Sequence, residues 1–443
     1  MAAKRDTAHK MHLDSGVVVE APRRTPVRAD VDVLVCGAGP AGLGAALAAA
    51  RQGARVLLCE RWGQPGGVWT AGLLNPFFEP HGRGWVVDEL VARLEAAGAW
   101  RPWLFAHCFD TEVMRATLEA MLTEAGVELL YGTLVADAIV EDGQVRGAIL
   151  ESKAGREAVT AKVCIDATGD GDLAARAGCP YELGREVDGL TQPMTLMFEI
   201  RGITSWDQQS SYELFDAMAG AIAEHGLDMV LPIERCNYAP WIINTPAPGT
   251  ADVQLTHVYR LNPLDPTDLT AGTVACRRQA AQAVEVFRHI PGLEGVTLAA
   301  TAAALGVREG RRVVGRYRLA LDDLQAGCRF PDAVASCAFG VDIHEPAPGA
   351  GVPSGHHAAM RPYEIPYRCL LPAEHDGLLL AGRLISGSHE AHASYRVTGT
   401  AMALGQAAGL AAAWASAEGC QPAQLPGERL RATLAERGAR FLS

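Results

Sequence analysis

The stretch from Val31 to Glu60, VDVLVCGAGPAGLGAALAAARQGARVLLCE, restricts the fold more than any other part of the chain. Val31–Cys36 is a β-branched apolar run of the kind buried in parallel sheets. Gly37, Ala38, Gly39, Pro40, Ala41 and Gly42 then spell GxGxxG. An alanine-rich helix is expected over 43–51, ending near Gly53, and a second strand over 54–59 runs into Glu60. Gly37 permits a tight turn, Gly39 lets the backbone approach a pyrophosphate, and Gly42 lets helix pack on strand. The helix start offers unpaired N–H groups and a positive dipole end to phosphates. Glu60, 18 residues after Gly42, is placed to accept hydrogen bonds from both hydroxyls of an adenosine ribose and disfavours a 2′-phosphate. A lone GxGxxG is weak evidence. Strand, glycines, helix, strand and acid in one unit specify dinucleotide binding.

This unit does not choose between a nicotinamide and a flavin dinucleotide. The continuation ERWGQPGGVWTAG adds Arg61, the pair Gly66-Gly67, Val68, Trp69, Thr70 and Gly72. Such a loop suits a longer, extended ligand whose far end is a ribityl chain and ring. Further on, 110–130 reads as a helix feeding the strand VELLYG. Asp142-Gly143 marks a hairpin, because glycine supplies the positive φ that such turns need. A buried strand over 162–167 then ends in Thr168-Gly169-Asp170-Gly171-Asp172. A calcium loop is excluded there by spacing and by the missing terminal Glu. A strand–TG–helix element that returns after a helix and a hairpin closes a dinucleotide fold, as does DGLLLAGRLISG near 380.

Residues 182–366 have another texture, with β-runs such as MTLMFEI and DVQLTHVYRL and a helix expected over 271–289. The reading is α/β: a Rossmann-like dinucleotide-binding domain, a parallel sheet with a β-meander insertion, plus a β-rich α+β substrate lobe. The boundaries are an N-terminal arm (1–29), the first part of the cofactor domain (30–180), the lobe (181–366) and the C-terminal part (367–443). GVREGRRVVGRYRLALDDL, inside the lobe, is expected to be a solvated face with local ion pairs.

The net charge of −12 argues against nucleic acid or anionic lipid as main partner. The first 30 residues carry no apolar signal core. Eleven cysteines without a CxxC pair fit a reduced, cytoplasmic protein lacking a redox disulfide. The 21 uncharged residues between Arg396 and Glu418 approach a bilayer span in length. Their bulk is Ala and Gly, with Thr398, Thr400, Gln406 and Ser416 among them, so a helix lying close to a neighbour is expected instead.

With those motifs assembled, the chain resembles the FAD-dependent oxidoreductases of the glutathione-reductase-like flavoproteins. The resemblance rests on IDATGDGDLA (165–174), on the AGR…S…H.A..S.R……GQAAG pattern at 381–409, and on GVREGRRVVGRYRL, DIHEP (342–346) and YEIPYRCLLP (363–372). It implies FAD, held non-covalently or through a histidine. Gly37, Gly39 and Gly42, with Pro40 and Ala41, would hold the pyrophosphate. Glu60 would hold the ribose, with Arg61 beside it, and the backbone near Val135 the adenine. Ala167, Thr168 and Gly169 would line the cleft, and Gly382 with Arg383 would approach the ribityl chain. Many members have small or aliphatic residues after the glycine pair; Val68-Trp69 here would narrow the space over the flavin. A helix starting near Gly399-Thr400 would aim its positive end at the flavin pyrimidine, with Arg396 adding charge.

The function this implies is dehydrogenation of a small organic metabolite by hydride transfer to flavin N5, with oxygen or another acceptor taking the electrons. The base candidates are His389, His392 and His344 beside Asp342, since imidazole titrates near neutrality. Each also fits a structural role. A metal at His389/His392 is disfavoured by spacing. Trp69, Phe77, Phe78, Trp85, Trp100, Trp103, Phe105 and Phe109 crowd one segment, either as a wall against the flavin or as a small satellite core. An NAD(P)H-dependent flavin monooxygenase is the alternative, and a flavin-bearing assembly protein without turnover the third reading. The sequence leaves the substrate and oligomeric state open.

Overall fold

The computed structural model describes residues 12–14, 16–20, 22–347 and 359–442. Parts of the expected N-terminal arm (1–11, 15 and 21) and of the lobe (348–358) lie outside them.

The opening unit forms as its pattern requires: β1 (Val27–Cys36), α1 (Pro40–Ala50) and β2 (Val56–Cys59). Next come α2 (Trp85–Ala96) and α3 (Thr111–Glu124). Asp110 caps α3 by accepting the N–H groups of Glu112 and Val113, so the helix starts one residue inside the expected range. β3 (Glu128–Leu130) follows, then the meander β4 (Leu134–Glu141), β5 (Gln144–Ser152) and β6 (Gly155–Asp166). Asp142 and Gly143 both have positive φ, 50° and 74°, as a two-residue hairpin turn demands.

β3, β2, β1 and β6 lie parallel in that order. The beginning of β6 carries β5 and β4 antiparallel. Its last residues, Cys164–Asp166, pair in parallel with 378–380 from the far end of the chain. One strand therefore serves two neighbours in succession. This is a Rossmann-like sheet with a meander insertion, and it fits the α/β fold class.

The second body is an antiparallel sheet of β7 (Phe198–Arg201), β8 (Trp241–Asn244), β9 (Thr250–Gln254) and β10 (Thr297–Thr301), ordered β8-β9-β7-β10. Helices α4 (Ser211–His225) and α5 (Pro266–Phe287) belong to it. α5 begins five residues before the expected 271 because Asp265 accepts Thr267 N–H and Pro266 fills the first helical position. Phe198, Leu214, Ala280 and Phe287 are among the side chains of its separate core.

β11 (Leu378–Leu380) re-enters the first sheet, followed by α6 (His389–Tyr395) and α7 (Thr398–Glu418). α7 is buried along almost its whole length and packs on α1. A Cβ on Gly405 or Gly409 would overlap the carbonyl oxygens of Ala41 or Ala45. The small residues thus bring two helices to backbone contact. Among the described residues no helix is long and apolar enough to cross a membrane.

Candidate functional site

A cavity of about 420 Å³ opens where the parallel strands end, between the two bodies. That edge is where α/β sheets place ligands. Gly37 follows β1, Glu60 follows β2, Ala167 follows β6 and Ala381 follows β11, and all four line the cavity.

The glycines divide the work. A Cβ on Gly37 would run into the Ala167 carbonyl, and one on Gly42 into the Gly37 carbonyl. Gly39 differs: a Cβ there would meet nothing within 4 Å. Its open face is toward the cavity it lines, at the start of α1, where no side chain caps the first N–H groups. That is the cradle an extended pyrophosphate needs. The Glu60 carboxylate accepts Ala38 N–H at 2.7 Å and Trp62 N–H at 2.9 Å, which fixes it at one end of the space beside Thr133–Val135.

Asp166 arranges the opposite wall. It accepts Thr168 N–H at 3.0 Å, Thr168 Oγ1–H at 2.7 Å and Ala174 N–H at 2.8 Å. Burial still pushes its carboxyl up to about 6. Asp170 is engaged by Arg383 at 2.7 Å, and Asp172 by Arg311 at 3.1 Å, so both carboxylates serve ion pairs. No cluster of potential metal ligands occurs among the described residues.

The far end is aromatic and basic. Phe78, Trp103, Phe105 and Trp241 line it, with Arg396, Val397 and Thr398 at the start of α7. Trp69 does not contribute: it is fully buried, 4.7 Å from Phe77 and 6.1 Å from Phe109, and so cannot narrow the space. The aromatic segment therefore divides: Phe78, Trp103 and Phe105 line the cavity, while Trp69, Phe77 and Phe109 pack on one another.

The remaining sequence candidates are distributed as follows. Gly37, Gly39, Pro40, Ala41, Glu60, Arg61, Gly67, Val68, Val135, Ala167, Thr168, Gly169, Gly382, Arg383 and Arg396 line the cavity. Gly42, Gly66, Thr70, Gly399 and Thr400 lie behind the lining. Gly66 N–H bonds Ala38 O at 2.8 Å, Gly399 packs on the Phe78–Glu79 backbone, and Thr400 bonds Glu79 at 3.0 Å. Of the three candidate histidines His344 alone is in the cavity lining, among the described residues. His389 donates from Nδ1 to Glu309 at 2.9 Å, and His392 is buried with neither ring nitrogen hydrogen-bonded. Burial, with Arg312 and Arg396 nearby, holds His392 neutral, far below the usual imidazole range.

His344 ends a chain of hydrogen bonds. His257 Nδ1 lies 2.9 Å from Leu255 O, which only accepts, so this nitrogen carries the proton. His257 Nε2 must then accept, and His344 Nδ1 donates to it at 3.2 Å. Neutral His344 is left with a bare Nε2, 3.5 Å from Asp342 Oδ2. Burial first, then the Arg308 guanidinium, pushes His344 down to about 3. Burial would raise the Asp342 carboxyl, but the Arg396 and Arg308 guanidiniums hold it below the ordinary range. Arg396 bonds both Asp342 O and Oδ2 at 3.0 Å.

The expected solvated face at 306–324 is overturned in its first half. Arg308 lines the cavity and Glu309 and Arg312 are buried as an ion pair. Reasoning from charge alone missed Arg308. The available signal was its place beside an acid and a glycine, a pattern that closes charges on one another rather than spreading them to solvent.

Comparison with known proteins adds the following. The sequence profile of the family described as FAD dependent oxidoreductase matches residues 32–434. A thiamine thiazole synthase of Aeropyrum pernix is 36% identical over 140 residues, 31% of this chain and 50% of that protein. A digeranylgeranylglycerophospholipid reductase of Methanopyrus kandleri is 31% identical over 150 residues, 32% of this chain and 38% of that one. The chain thus spans about half the length, or less, of these two relatives. A geranylgeranyl bacteriochlorophyll reductase-like structure from Thermoplasma acidophilum aligns over 93% of this chain and 84% of its own at 14% identity, with a TM-score of 0.47.

Proposed function

The chain belongs to the FAD-dependent oxidoreductase family, and from that premise we propose that this enzyme dehydrogenates a small organic molecule, with His344 taking the accompanying proton. The observation that carries this reading is the continuity of one cavity from Gly39 to His344.

Gly37 and Gly39, with the first N–H groups of α1, would hold the pyrophosphate, Glu60 the ribose hydroxyls, and backbone near Val135 the adenine. Thr168, Gly169 and Gly382 would flank the middle of the cofactor. When bound, the flavin supplies a two-electron acceptor at N5. The start of α7, uncapped by any side chain, and Arg396 place positive potential at the same end. Phe78, Trp103 and Trp241 would exclude water around the substrate, with Phe105 exposed at the rim. The substrate loses a hydride from carbon and a proton from the neighbouring O–H, N–H or C–H. The proton goes to the bare Nε2 of His344, and the imidazolium so formed faces Asp342. Oxygen or another acceptor takes the electron pair.

The test is anaerobic. Purified holoenzyme is mixed with a library of small metabolites, and separately with NADH and NADPH, while the flavin band is followed. Bleaching by a metabolite alone is expected. Rapid bleaching by NADH or NADPH in place of any metabolite overturns the reading in favour of a reductive monooxygenase.

A further inference from the structure

We propose that Arg308 anchors an anionic group of the substrate, a single carboxylate, beside His344; this deepens the dehydrogenase reading and rests on it.

The arginines around the cavity are not equivalent. Arg61, exposed beside Glu60 and stacked over Trp62, belongs to the opposite, adenosine end and has no ion pair among the described residues. Arg383 is paired with Asp170 at 2.7 Å and Arg396 with Asp342 at 3.0 Å. Behind the wall, Arg311 and Arg312 are paired with Asp172 and Glu309. Arg308 lines the same space, yet among the described residues no carboxylate comes within 4.0 Å of it. Its Nη1 donates to Pro193 O at 2.6 Å and Thr195 Oγ1 at 2.8 Å, both neutral acceptors. These two bonds fix one corner of the guanidinium. Nη2 and Nε have no acceptor among the described residues.

A planar fork held at one corner, with its other donors unspent, is matched to a carboxylate. Leaving such a half-buried cation without a carboxylate partner carries a desolvation cost that no ion pair offsets. Burial lowers Arg308 only to about 10, and it stays charged at neutral pH.

Charge balance sets the number of negative charges. Near His344 stand two cations, Arg308 and Arg396, and one anion, Asp342, with both His257 and His344 neutral. One positive charge is uncompensated. Met197, Leu305 and Trp241 give the lining an apolar part, alongside Asn237, Tyr238 and Gln254. A monoanion with an apolar body fits this set; a phosphate dianion would leave an excess negative charge there.

The two roles are also coupled. The Arg308 charge is what depresses His344 most after burial. A carboxylate on Arg308 cancels that field, so the imidazole becomes a better base only when an acid is in place. Neutral analogues would lose turnover as well as affinity.

The test reads binding on the oxidised holoenzyme, without turnover, by difference spectra of the flavin band. Benzoate and phenylacetate are titrated against benzamide and phenylacetamide. In the wild type at least one carboxylate is expected to bind about tenfold or more tightly than its amide. Arg308→Met abolishes the preference, and Arg308→Lys restores part of it. Should Arg308→Met fold poorly, Arg308→Gln, which retains a donor for Pro193 O, reads the same difference. Equal binding of acid and amide by wild type, or no binding of either acid, overturns the assignment. So does a preference that survives in Arg308→Met. Since nothing need be oxidised, a failed search for a bleaching metabolite would count against the dehydrogenase reading alone.

Discussion

Gly39→Ala isolates the ligand cradle from the fold. Gly39 has φ −72° and ψ −179°, a conformation open to any residue, and a methyl there would meet no protein atom within 4 Å. The apoprotein should therefore melt no lower than wild type, and a gain of about 0.4–1 kcal/mol is expected from the stiffer unfolded chain. Bound FAD should suffer, because the methyl enters the space assigned to the pyrophosphate. Overfilling a close-packed contact costs about 1–3 kcal/mol, and about 2 kcal/mol corresponds to a roughly 30-fold weaker Kd. At an FAD concentration of about 100 times the wild-type Kd, ligand stabilisation would drop from about 2.7 to about 0.9 kcal/mol. Unfolding entropy scaled to this 443-residue chain is about 0.9 kcal/mol per degree, so the FAD-induced rise in Tm shrinks by about 2 °C. Thermal melts with and without FAD, and a flavin fluorescence titration, measure both halves. Gly42→Ala is the control. Its Cβ overlaps the Gly37 carbonyl, so the apoprotein itself should lose stability. An unchanged FAD affinity in Gly39→Ala would refute the cradle, and a large drop in its apo Tm would refute the open face.

Three further perturbations bear on the site. Ala38 N–H bonds Glu60 Oε2 and Trp62 N–H bonds Oε1, so Glu60→Gln keeps an acceptor for only one of the two and loses the charge. FAD affinity should weaken by about tenfold, in line with a charged hydrogen bond of about 1.5–3 kcal/mol, and equal titrations would remove Glu60 from the ribose. His344→Gln should slow metabolite-driven bleaching by about 10²–10⁴-fold with flavin content retained; an unaltered rate eliminates it as base. His392 is held neutral when folded, so below pH about 6.5 the unfolded chain binds a proton that the folded chain refuses. Stability therefore falls as pH falls, by up to about 1.4 kcal/mol per unit from this group, while Asp166, raised to about 6, contributes in the opposite sense. His392→Leu removes the first contribution alone. Its stability relative to wild type should improve steadily from pH 7 to 5 in chemical denaturation, and a constant difference would show that His392 titrates normally.

Much of the cofactor half was legible because its signals are local. Between Val31 and Glu60 strand, glycine turn, helix, strand and acid follow one another in a single run, and the hairpin at Asp142-Gly143 is written in two residues. The uncharged run after Arg396 was legible in kind, since only Ala and Gly permit a helix to touch another backbone. Its partner α1 lies some 360 positions away and no local pattern points to it. Trp69 was misplaced for the same reason. Its contacts, Phe77 and Phe109, turn it inward, and nothing in GGVW records that. The histidines show the limit most plainly. His389 and His392 looked as suitable as His344, and they differ only in what the fold sets beside them, a buried Glu309 for one and no acceptor for the other.

The position of Arg308 follows from its four successors. Glu309 accepts the N–H of Gln192 at 3.1 Å, the Nδ1–H of His389 at 2.9 Å and the guanidinium of Arg312, so one carboxylate ties two distant segments to its own. Gly310 must be glycine, because a Cβ would overlap Asp170 Oδ1. Arg311 reaches Asp170 O at 2.8 Å and Asp172 Oδ1 at 3.1 Å, binding the segment to the loop after β6. Arg312 also holds Gly387 O at 3.0 Å and Gly184 O at 2.8 Å. Five consecutive residues thus spend four of their side-chain or backbone roles on joining the lobe to the two separated parts of the parallel sheet. Arg308 alone is left without a structural ion pair, and the rigidity of the other four is what keeps it on the cavity wall. A charge fixed this firmly and left unpaired is poorly explained by stability, since burial penalises it. It is readily explained if the missing partner arrives with the substrate.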